Sequence, residues 1–359
     1  MRKLLAAAAL ALTFPGSALS AGLVQQRELT PLAPNRALTP GRFELVGIHW
    51  RGPGAVRFRT RDLRGRWSAW RVSSDEDTPR QRGWRIGEPV WVGASTALRY
   101  RISGRVTRVR AYFVRSPRIA SPLKRAQIAG APPIVTRAGW HADESIRRGR
   151  PYYADGVHLV FVHHTVSSNS YSKAQSASIV RGIELYHVKG NGWNDIGYNF
   201  LVDKYGQVFE GRYGGMTRPV VGAHAMGFNT GSVGIALIGD YSSTAITPAA
   251  RAALVSLIAW RLDLAHVDPL SKVVRVSAGN PRYPAGRAVT LNAISGHRDV
   301  YPTSCPGGSL YAQLPSIRAA VAKSGLPKIY SPVVSGALGG PIRFGARLSS
   351  SATWTVTVR

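Results

Sequence analysis

Apolar and polar residues alternate with a period of two along residues 43–115. In the run AVRFRT, Val56 and Phe58 fall on one face, while Arg57 and Arg59 fall on the other. Similar runs, such as ALRYRIS and VTRVRAYFV, are separated by turn residues. This alternation predicts a small all-β domain of antiparallel strands with one buried face. Trp67 and Trp70, in WSAW, are expected to pack in its core rather than to stack on sugar rings.

After residue 132 the pattern changes, because apolar runs of strand length alternate with runs of helical period. The clearest helical period is in residues 173–187, where Ile179, Ile183 and Tyr186 recur at steps of three and four. Thr247 is an expected N-cap. The predicted class is therefore α/β, with a mixed central sheet flanked by helices. The predicted strands are 158–163, 197–202, 207–210 and 233–238, and the further predicted helices are 248–266 and 310–323.

The same pattern divides the chain into segments. Residues 1–21 combine Arg2 and Lys3, an apolar run and small residues, which is typical of a secretory signal peptide. No later run approaches the roughly 20 apolar residues that a membrane helix needs, so we expect export without a transmembrane segment. The other expected segments are an extended leader at 22–42, the β-rich domain at 43–115, a linker at 116–132, the α/β domain at 133–326 and a tail at 327–359 that begins another β-module.

The formal net charge of +29 restricts the partners to be considered. In an exported protein such a charge favours attraction to an anionic polymer of the cell envelope. The alternative is a solvated arginine-rich surface without a dedicated partner. We do not expect nucleic acid as a partner, because the sequence has no compact basic run with interleaved aromatic residues. The protein is expected to be a monomer.

Candidate chemistry is concentrated in residues 296–308, GHRDVYPTSCPGG. His297 and Cys305 lie eight positions apart, and Cys305 is the single cysteine of the sequence, so it cannot form an internal disulfide. A catalytic zinc site needs three protein ligands and an open position. His163 and His164 are candidates for the third ligand, because they end an apolar strand before a polar loop. Consecutive strand residues face opposite sides, so one of the two is expected to bind, and the spacing does not say which.

Six ordered motifs resemble one known family. They are VHHT at 162–165, GWNDIGYNFLV at 192–202, VFEGR at 208–212, GAHAMGFN at 222–229, SVGIALIG at 232–239 and the GHRDVYPTSCPG loop. Together they resemble the zinc N-acetylmuramoyl-L-alanine amidases of the peptidoglycan recognition protein and phage-lysozyme type. The resemblance covers about residues 133–325, and the export signal and β-region make the chain similar to secreted actinobacterial members.

The resemblance implies that His163, His297 and Cys305 hold one Zn²⁺ ion per chain. It implies catalytic roles for Tyr198, which faces the scissile carbonyl, and for Thr303, which replaces the lysine of the phage branch. A threonine hydroxyl can stabilise an oxyanion but carries no charge, so its contribution is the smaller one.

Expectations for the residues around the site come partly from the resemblance, which supplies those for His224, Asn229 and Ala236, and partly from the residue types themselves. Substrate contact is expected for His224 and Asn229, whereas His164 and His187 are expected to be structural. Ala236 stands where a cytoplasmic branch has a glutamate. Arg287, Arg298 and Asp299 are either groups that orient the loop or ordinary solvated charges.

The expected function is hydrolysis of the amide between N-acetylmuramic acid and L-alanine in peptidoglycan. The alternative is a non-catalytic peptidoglycan-binding or sensing protein, which the complete ligand set disfavours. A nucleic-acid binder with a structural zinc ion is opposed by the export signal and by the three-ligand set, because structural sites normally have four protein ligands.

Overall fold

The computed structural model describes residues 23–30, 37–75, 78–116, 118–119, 122–325, 327–337, 339–351, 353, 355 and 357. The expected signal peptide, at residues 1–21, lies outside the described residues. Within the described part of the chain, no helix is long and apolar enough to cross a membrane.

The expected all-β domain is confirmed as one seven-stranded sheet in which every strand pair is antiparallel. The strand order is β1-β7-β2-β6-β3-β4, and β5 pairs with β2. The strands are β1 (Leu23–Leu29), β2 (Phe43–Arg51), β3 (Ala55–Asp62), β4 (Arg71–Val72), β5 (Arg85–Ile86), β6 (Val90–Ser103) and β7 (Arg108–Arg115).

The structure differs from the expected leader at β1. Its seven residues pair with β7 along their whole length, from Leu23 opposite Arg115 to Leu29 opposite Val109. Glu28 forms ion pairs with Arg108 and Arg110 across this edge. The sequence LVQQREL has no clean alternation, so its strand conformation comes from pairing with β7 rather than from its own pattern.

The expectation that Trp67 and Trp70 pack in the core is wrong. Both rings are half-buried on the outer face of β3 and β6, where they lie among arginine side chains. Arg59 stacks on both rings at 5.0 and 4.8 Å, and Arg99 lies 4.7 Å from Trp67. The core face of the same strands is filled instead by residues such as Phe58. The two tryptophans therefore pack against the arginines on the outer face of β3 and β6 and not against the apolar residues on the core face.

The α/β domain has a second seven-stranded sheet, of order β16-β10-β13-β11-β12-β9-β8, which mixes parallel and antiparallel pairs as expected. Two shorter hairpins, β14–β15 and β17–β18, lie outside it. The elements are β8 (Arg125–Ala126), β9 (Ile134–Val135), β10 (Leu159–His164), α1 (Ser176–Leu185), β11 (Phe200–Val202), β12 (Val208–Glu210), β13 (Ser232–Leu237), α2 (Pro248–Leu264), β14 (Lys272–Val276), β15 (Ala288–Asn292), β16 (Ile294–Gly296), α3 (Gly308–Ala322), β17 (Ile329–Ser335) and β18 (Arg343–Leu348).

Helices cover both faces of this sheet. α1 packs on one face, and α2 and α3 pack on the other. The expected N-cap of α2 is confirmed, because the Thr247 side chain accepts a hydrogen bond from the Ala250 N–H at 3.1 Å. Helix α1 is shorter than predicted, because residues Lys173–Gln175 form a 3₁₀ turn and Tyr186–Gly190 form a π-helical turn. The strand β8 lies within the expected linker and extends the edge of the sheet through β9.

The two domains share a hydrophobic core. Leu45 and Trp91 of the β-domain pack in one cluster with Ile183 and Tyr186 of the α/β domain. The Tyr186 hydroxyl donates to the Gly87 carbonyl and lies 2.8 Å from His49 Nε2. Both faces of β2 are consequently buried, one by its own domain and the other by α1. This packing holds the two domains as one body.

The tail forms a hairpin from β17 and β18 that packs on the C-terminal end of α2 and on the segment that follows it. Lys328 pairs with Asp263 at 2.6 Å, and Arg347 forms an ion pair with Asp268. The described part of the expected tail thus contains one hairpin, and its assignment as the start of a β-module stays a prediction.

Candidate metal centre and adjoining groove

The structure brings together the three side chains that the resemblance assigned to zinc. One ligand atom from each of His163, His297 and Cys305 lies within 4.8 Å of the others, and all three residues are buried. His163 lies near the C-terminal end of β10, while His297 directly follows the neighbouring parallel strand β16. Parallel strands bring their carboxyl ends to one edge of a sheet, and this explains how residues so distant in sequence meet.

The sheet distinguishes His163 from His164. His163 lies opposite Ala236 of β13, on the face that α1 covers. His164 faces the other way, and its Nδ1 accepts a hydrogen bond from the Tyr241 N–H at 3.2 Å. The structural role expected for His164 is therefore confirmed. The strand alternation assigns the metal-facing position to His163, an assignment the spacing left open.

The two ring nitrogens of His163 have different neighbours. Nδ1 lies 3.7 Å from Cys305 Sγ, while Nε2 lies 3.2 Å from His224 Nδ1. Burial lowers the pKa of His163 well below its usual value, and the nearby His297 lowers it further. The ring is therefore neutral at pH 7, which is the state that binds a metal.

A tight loop holds Cys305. The Cys305 N–H donates to Thr303 Oγ1 at 3.0 Å, and the Cys305 carbonyl accepts from the Arg298 N–H at 2.9 Å. The Asp299 carboxylate accepts from the Gly296 N–H at 2.9 Å and from the Tyr311 hydroxyl at 2.6 Å. Arg298 and Asp299 thus orient the loop, which was one of the two roles open to them. Thr303 lies within this network, two residues from the thiol.

Tyr198 lies beside the candidate metal centre. Its ring centroid is 5.4 Å from that of His163, and its side chain is 7% exposed. On its other side the ring lies 5.9 Å from the ring of His187, whose Nδ1 accepts from the Gly197 N–H at 3.1 Å. Burial lowers the pKa of His187 to about 3, so it packs as a neutral ring. The structural role expected for His187 is confirmed.

His224 and Asn229, the expected substrate contacts, are linked to each other. Asn229 Oδ1 accepts from the N–H groups of His224 and Ala225, each at 2.8 Å, so its side chain shapes the loop that carries His224. His224 is 6% exposed, and its Nδ1 faces His163. The geometry supports orientation of the metal ligand as the role of His224. Substrate contact by either residue stays a prediction.

A groove with a cavity volume of about 370 Å³ lies beside the loop that carries His224. It is lined by Trp193, Arg212 and Tyr213 together with the backbone of residues 222–223, which directly precede His224. The Arg147 guanidinium lies 3.7 Å from the centroid of the Tyr213 ring. The groove therefore presents flat rings and cationic groups, which suits a ligand with both carbohydrate and acidic peptide parts.

A buried ionic network beneath the groove was not predicted from the sequence. Arg137 contacts Glu144 at 2.7 Å, Glu184 at 3.0 Å and Asp195 at 3.3 Å. Asp195 accepts in turn from the Tyr213 N–H at 2.8 Å, so the network fixes one wall of the groove. Its members are scattered along the chain, and ordinary surface charges have the same appearance in the sequence. No local motif could have identified it.

The donor set can be compared with what candidate metals require. Two imidazoles and one thiolate match the ligands of zinc, and three protein ligands leave a fourth position for water or substrate. The burial of all three residues and the neutral His163 are consistent with a preformed site. The residues therefore fit one Zn²⁺ ion with an open coordination position.

Two family models match the chain. A model described as N-acetylmuramoyl-L-alanine amidase matches residues 153–308, which include all three candidate ligands. A model described as Rv3811 N-terminal galactose-binding domain-like matches residues 15–127. The second match extends beyond the expected β-domain at both ends, in agreement with the pairing of β1.

Similar proteins are found among curated sequences and solved structures. Peptidoglycan-recognition protein SC2 of Drosophila simulans is 30% identical over 181 residues, which are 50% of this chain and 84% of that protein. Peptidoglycan-recognition protein LB of Drosophila melanogaster is 30% identical over 184 residues, covering 51% and 68%. The solved wild-type Drosophila PGRP-LB is 30% identical with a TM-score of 0.40, covering 51% of this chain and 92% of that chain. Peptidoglycan recognition protein-LE, solved in complex with tracheal cytotoxin, is 27% identical with a TM-score of 0.41, covering 51% and 92%.

Proposed function

The chain belongs to the family of peptidoglycan recognition proteins and N-acetylmuramoyl-L-alanine amidases, and from that premise we propose that it is a secreted, zinc-dependent amidase. It hydrolyses the amide between N-acetylmuramic acid and the L-alanine of peptidoglycan stem peptides. The observation that carries this proposal is the convergence of His163, His297 and Cys305 within 4.8 Å. Relatives that recognise peptidoglycan without cleaving it are expected to lack part of this ligand set. Export is supported by the sequence pattern of residues 1–21.

The chain's own residues hold and orient the reacting groups. Zinc bound by His163, His297 and Cys305 would polarise the scissile carbonyl and acidify water. With His163 Nδ1 on the metal, the Nε2–H of the same ring would donate to His224 Nδ1, which lies 3.2 Å away, and would so keep Nδ1 directed at the centre. The Tyr198 phenol donates to the carbonyl oxygen as negative charge develops there, with a smaller contribution from Thr303. Water adds across the amide, so its hydroxyl joins the lactyl carbonyl carbon and its other hydrogen joins the leaving nitrogen.

The groove positions the substrate for this reaction. Arg147 and Arg212 supply positive charge for the carboxylates of the stem peptide, and Trp193 supplies a flat apolar wall. Holding the amide at the metal centre converts the reaction into an effectively unimolecular one. The partner is accordingly peptidoglycan or muropeptides released from it.

Metal content and product identity together test the proposal. Wild-type protein is expected to hold one zinc per chain and to release free stem peptide from purified cell wall, as identified by mass spectrometry. Cys305→Ala should lose the zinc and the product, because two ligands cannot hold the ion in an open site. His158→Ala, which removes a surface histidine outside the site, is the matched control and should retain both.

Two results would overturn the proposal. Normal release of stem peptide by Cys305→Ala would separate the reaction from this metal centre. A wild-type protein that holds zinc and binds muropeptides without releasing stem peptide would instead be a binding or sensing protein.

A further inference from the structure

A second cavity lies where the β-domain meets the α/β domain. Its volume is about 580 Å³, and both domains line it. The β-domain contributes Arg51, Arg82, Trp84 and Arg110, while the α/β domain contributes Arg148 and residues 190–192. We call this cavity the interdomain pocket. It is absent from either domain alone, because each supplies one wall.

The lining of the interdomain pocket is strongly cationic. Among the residues that the structure describes, four guanidinium groups and no carboxylate line it. Arg110 has a carboxylate partner, Glu28, whereas Arg51 donates to the Arg82 carbonyl at 2.9 Å, a contact that neutralises no charge. Trp84 is buried with Arg110 4.1 Å and Arg51 5.0 Å from its ring, which holds these guanidiniums in place. Preorganised guanidiniums of this kind bind carboxylates strongly.

The pocket also contains a buried amide with unused hydrogen-bonding capacity. Asn191 is 7% exposed and lines the pocket. Its side chain interacts with His49 as a hydrogen-bond partner that raises the pKa of that ring, and beyond His49 neither amide atom has a hydrogen-bond partner among the described residues. A buried amide has two N–H donors and two acceptor lone pairs, and leaving most of them unmet is costly, so a polar ligand that supplied further hydrogen bonds would be favoured. This observation is independent of the arginines and points to the same place.

The walls of the pocket are fixed relative to each other. Beyond the shared core, the Ser116 hydroxyl donates to the Ser178 carbonyl at 2.7 Å, and the Trp91 N–H donates to the Ser167 hydroxyl at 3.2 Å. Both bonds cross from the β-domain to the α/β domain. The pocket is therefore preformed, and a ligand need not order it on binding.

The interdomain pocket continues the groove of the candidate active site. Arg148 and Gly192 line both cavities. A row of rings connects the metal centre to this shared wall. The ring centroid of Tyr198 lies 5.4 Å from that of His163 and 5.9 Å from that of His187. The His187 centroid lies 4.5 Å from that of Trp193, the neighbour of Gly192. An extended peptide spans about 3.3–3.6 Å per residue, so a stem peptide of four or five residues has a length of this order.

From this continuity we infer that the interdomain pocket binds the distal, carboxylate-bearing end of the peptide whose first amide lies at the metal centre. The ligand class is an acidic peptide with a free C-terminal carboxylate. The β-domain then completes the substrate site and sets a preference for stems that are not cross-linked through that carboxylate. This inference rests on the proposed function, since it takes the stem peptide as the ligand of the groove.

Binding measurements test the inference without requiring turnover. Calorimetric titration would compare muramyl tetrapeptide, in its lysine and diaminopimelate forms, with the same compounds carrying a C-terminal carboxamide. Wild-type protein is expected to bind the free carboxylate about tenfold more tightly, which corresponds to about 1.4 kcal/mol. Arg82→Gln combined with Arg51→Gln should remove this discrimination while leaving the affinity for the carboxamide unchanged.

The design includes a matched control and distinct contrary outcomes. Arg57→Gln makes the same substitution at an exposed residue of β3 that does not line the pocket, and this variant should discriminate between the two ligands as the wild type does.

Equal binding of carboxylate and carboxamide by the wild type would overturn the inference and leave the amidase proposal intact. A further contrary outcome has two parts. The wild type would bind the carboxylate and carboxamide forms equally, and inorganic polyphosphate would bind at Arg51 and Arg82 and displace the tetrapeptide. That outcome would overturn the inference in favour of a phosphate polyanion as the ligand. Failure to bind any muropeptide would count against the proposed function itself.

Discussion

At the scale of single residues, the contact between His163 and His224 leads to a prediction about the candidate metal centre. His163 directs Nδ1 towards Cys305 and Nε2 towards His224. Outer partners of this kind fix the tautomer of a ligating histidine, and losing one typically lowers metal affinity about 10- to 100-fold. His224→Ala should therefore weaken zinc binding by about this factor in a chelator-competition titration. His224→Asn, which keeps an acceptor near the position of Nδ1, is expected to restore part of the affinity.

The same variants separate the two roles considered for His224. Unchanged zinc affinity in His224→Ala, together with a raised KM for muropeptide, would contradict the orienting role and favour substrate contact.

Tyr198 gives a second prediction at this scale. Removing one donor to a developing oxyanion costs about 10²- to 10³-fold in kcat. Tyr198→Phe keeps the ring that packs against His163 and His187, so zinc content should be unchanged while kcat falls within that range. Thr303→Val should have a smaller effect on kcat, and it also removes the acceptor for the Cys305 N–H. Full turnover by zinc-loaded Tyr198→Phe would exclude the phenol from the chemistry.

The individual residues of the candidate site could be identified from the sequence, but the contacts between them could not. His297 and Cys305 stand in one loop, and their chemistry is visible there. The choice of His163 over His164 needed the resemblance or the sheet, because alternation within β10 decides it. The ionic network around Arg137 could not be predicted from the sequence, because its side chain forms hydrogen bonds with residues 7, 47 and 58 positions away. Interactions of that range depend on the fold rather than on local pattern.

At the scale of elements, arginines on β3 and β6 face each other directly. Arg59 lies opposite Arg99, and Arg57 lies opposite Arg101. Like charges in such positions repel. Trp67 and Trp70 lie within this row, with cation–ring distances between 4.4 and 5.7 Å. The rings offset the repulsion by cation–π contact, each pair contributing about 0.5–1 kcal/mol at exposed sites.

Removal of one ring tests this account. Trp67 contacts Arg59, Arg61 and Arg99, so Trp67→Ala should lower the free energy of unfolding by about 2 kcal/mol, summed from those contacts. The remaining arginines repel more strongly without the ring, and salt screens that repulsion. The loss measured by urea unfolding should therefore be larger at 0.02 M than at 0.5 M sodium chloride. A loss that did not depend on salt would indicate that Trp67 acts by apolar burial alone.

The difference between helix α1 as predicted and as observed is also explained at this scale. Periodicity predicted one helix over residues 173–187, but the structure changes to a π-helical turn at Tyr186–Gly190. That turn places Tyr186 in the domain interface and His187 beneath Trp193. Side-chain spacing does not distinguish an α-helical from a π-helical turn over so few residues, whereas packing on both sides does.

At the scale of the whole molecule, the fold classes of the two domains could be predicted from the sequence. Their packing into one body could not. The β-domain and the α/β domain share a core, and one buried hydrogen-bonded pair, His49 and Tyr186, crosses it. The alternating pattern of β2 gave no sign that its second face is also covered. Consequently, a charge change at this interface should affect the stability of the complete protein rather than of one domain.

Protonation of His49 provides such a change. The pKa of His49 is lowered to about 4, from about 6.5 in an unfolded chain, because burial lowers it more than the Asn191 side chain raises it, and the charge of Arg110 acts in the same direction as burial. The folded state therefore binds fewer protons, so the stability that neutral His49 contributes is complete above pH 6.5 and is lost as the pH falls towards 4. Between pH 7.5 and 5.0 the linkage relation gives a loss of about 2 kcal/mol from this residue. His49→Gln does not titrate, and its acid-induced loss, measured by urea unfolding at the two pH values, should be smaller than that of the wild type by this amount. Because the metal-site histidines are unchanged in the variant, their contribution cancels in the comparison, and equal acid sensitivity would mean that His49 has the same pKa in the folded and unfolded states.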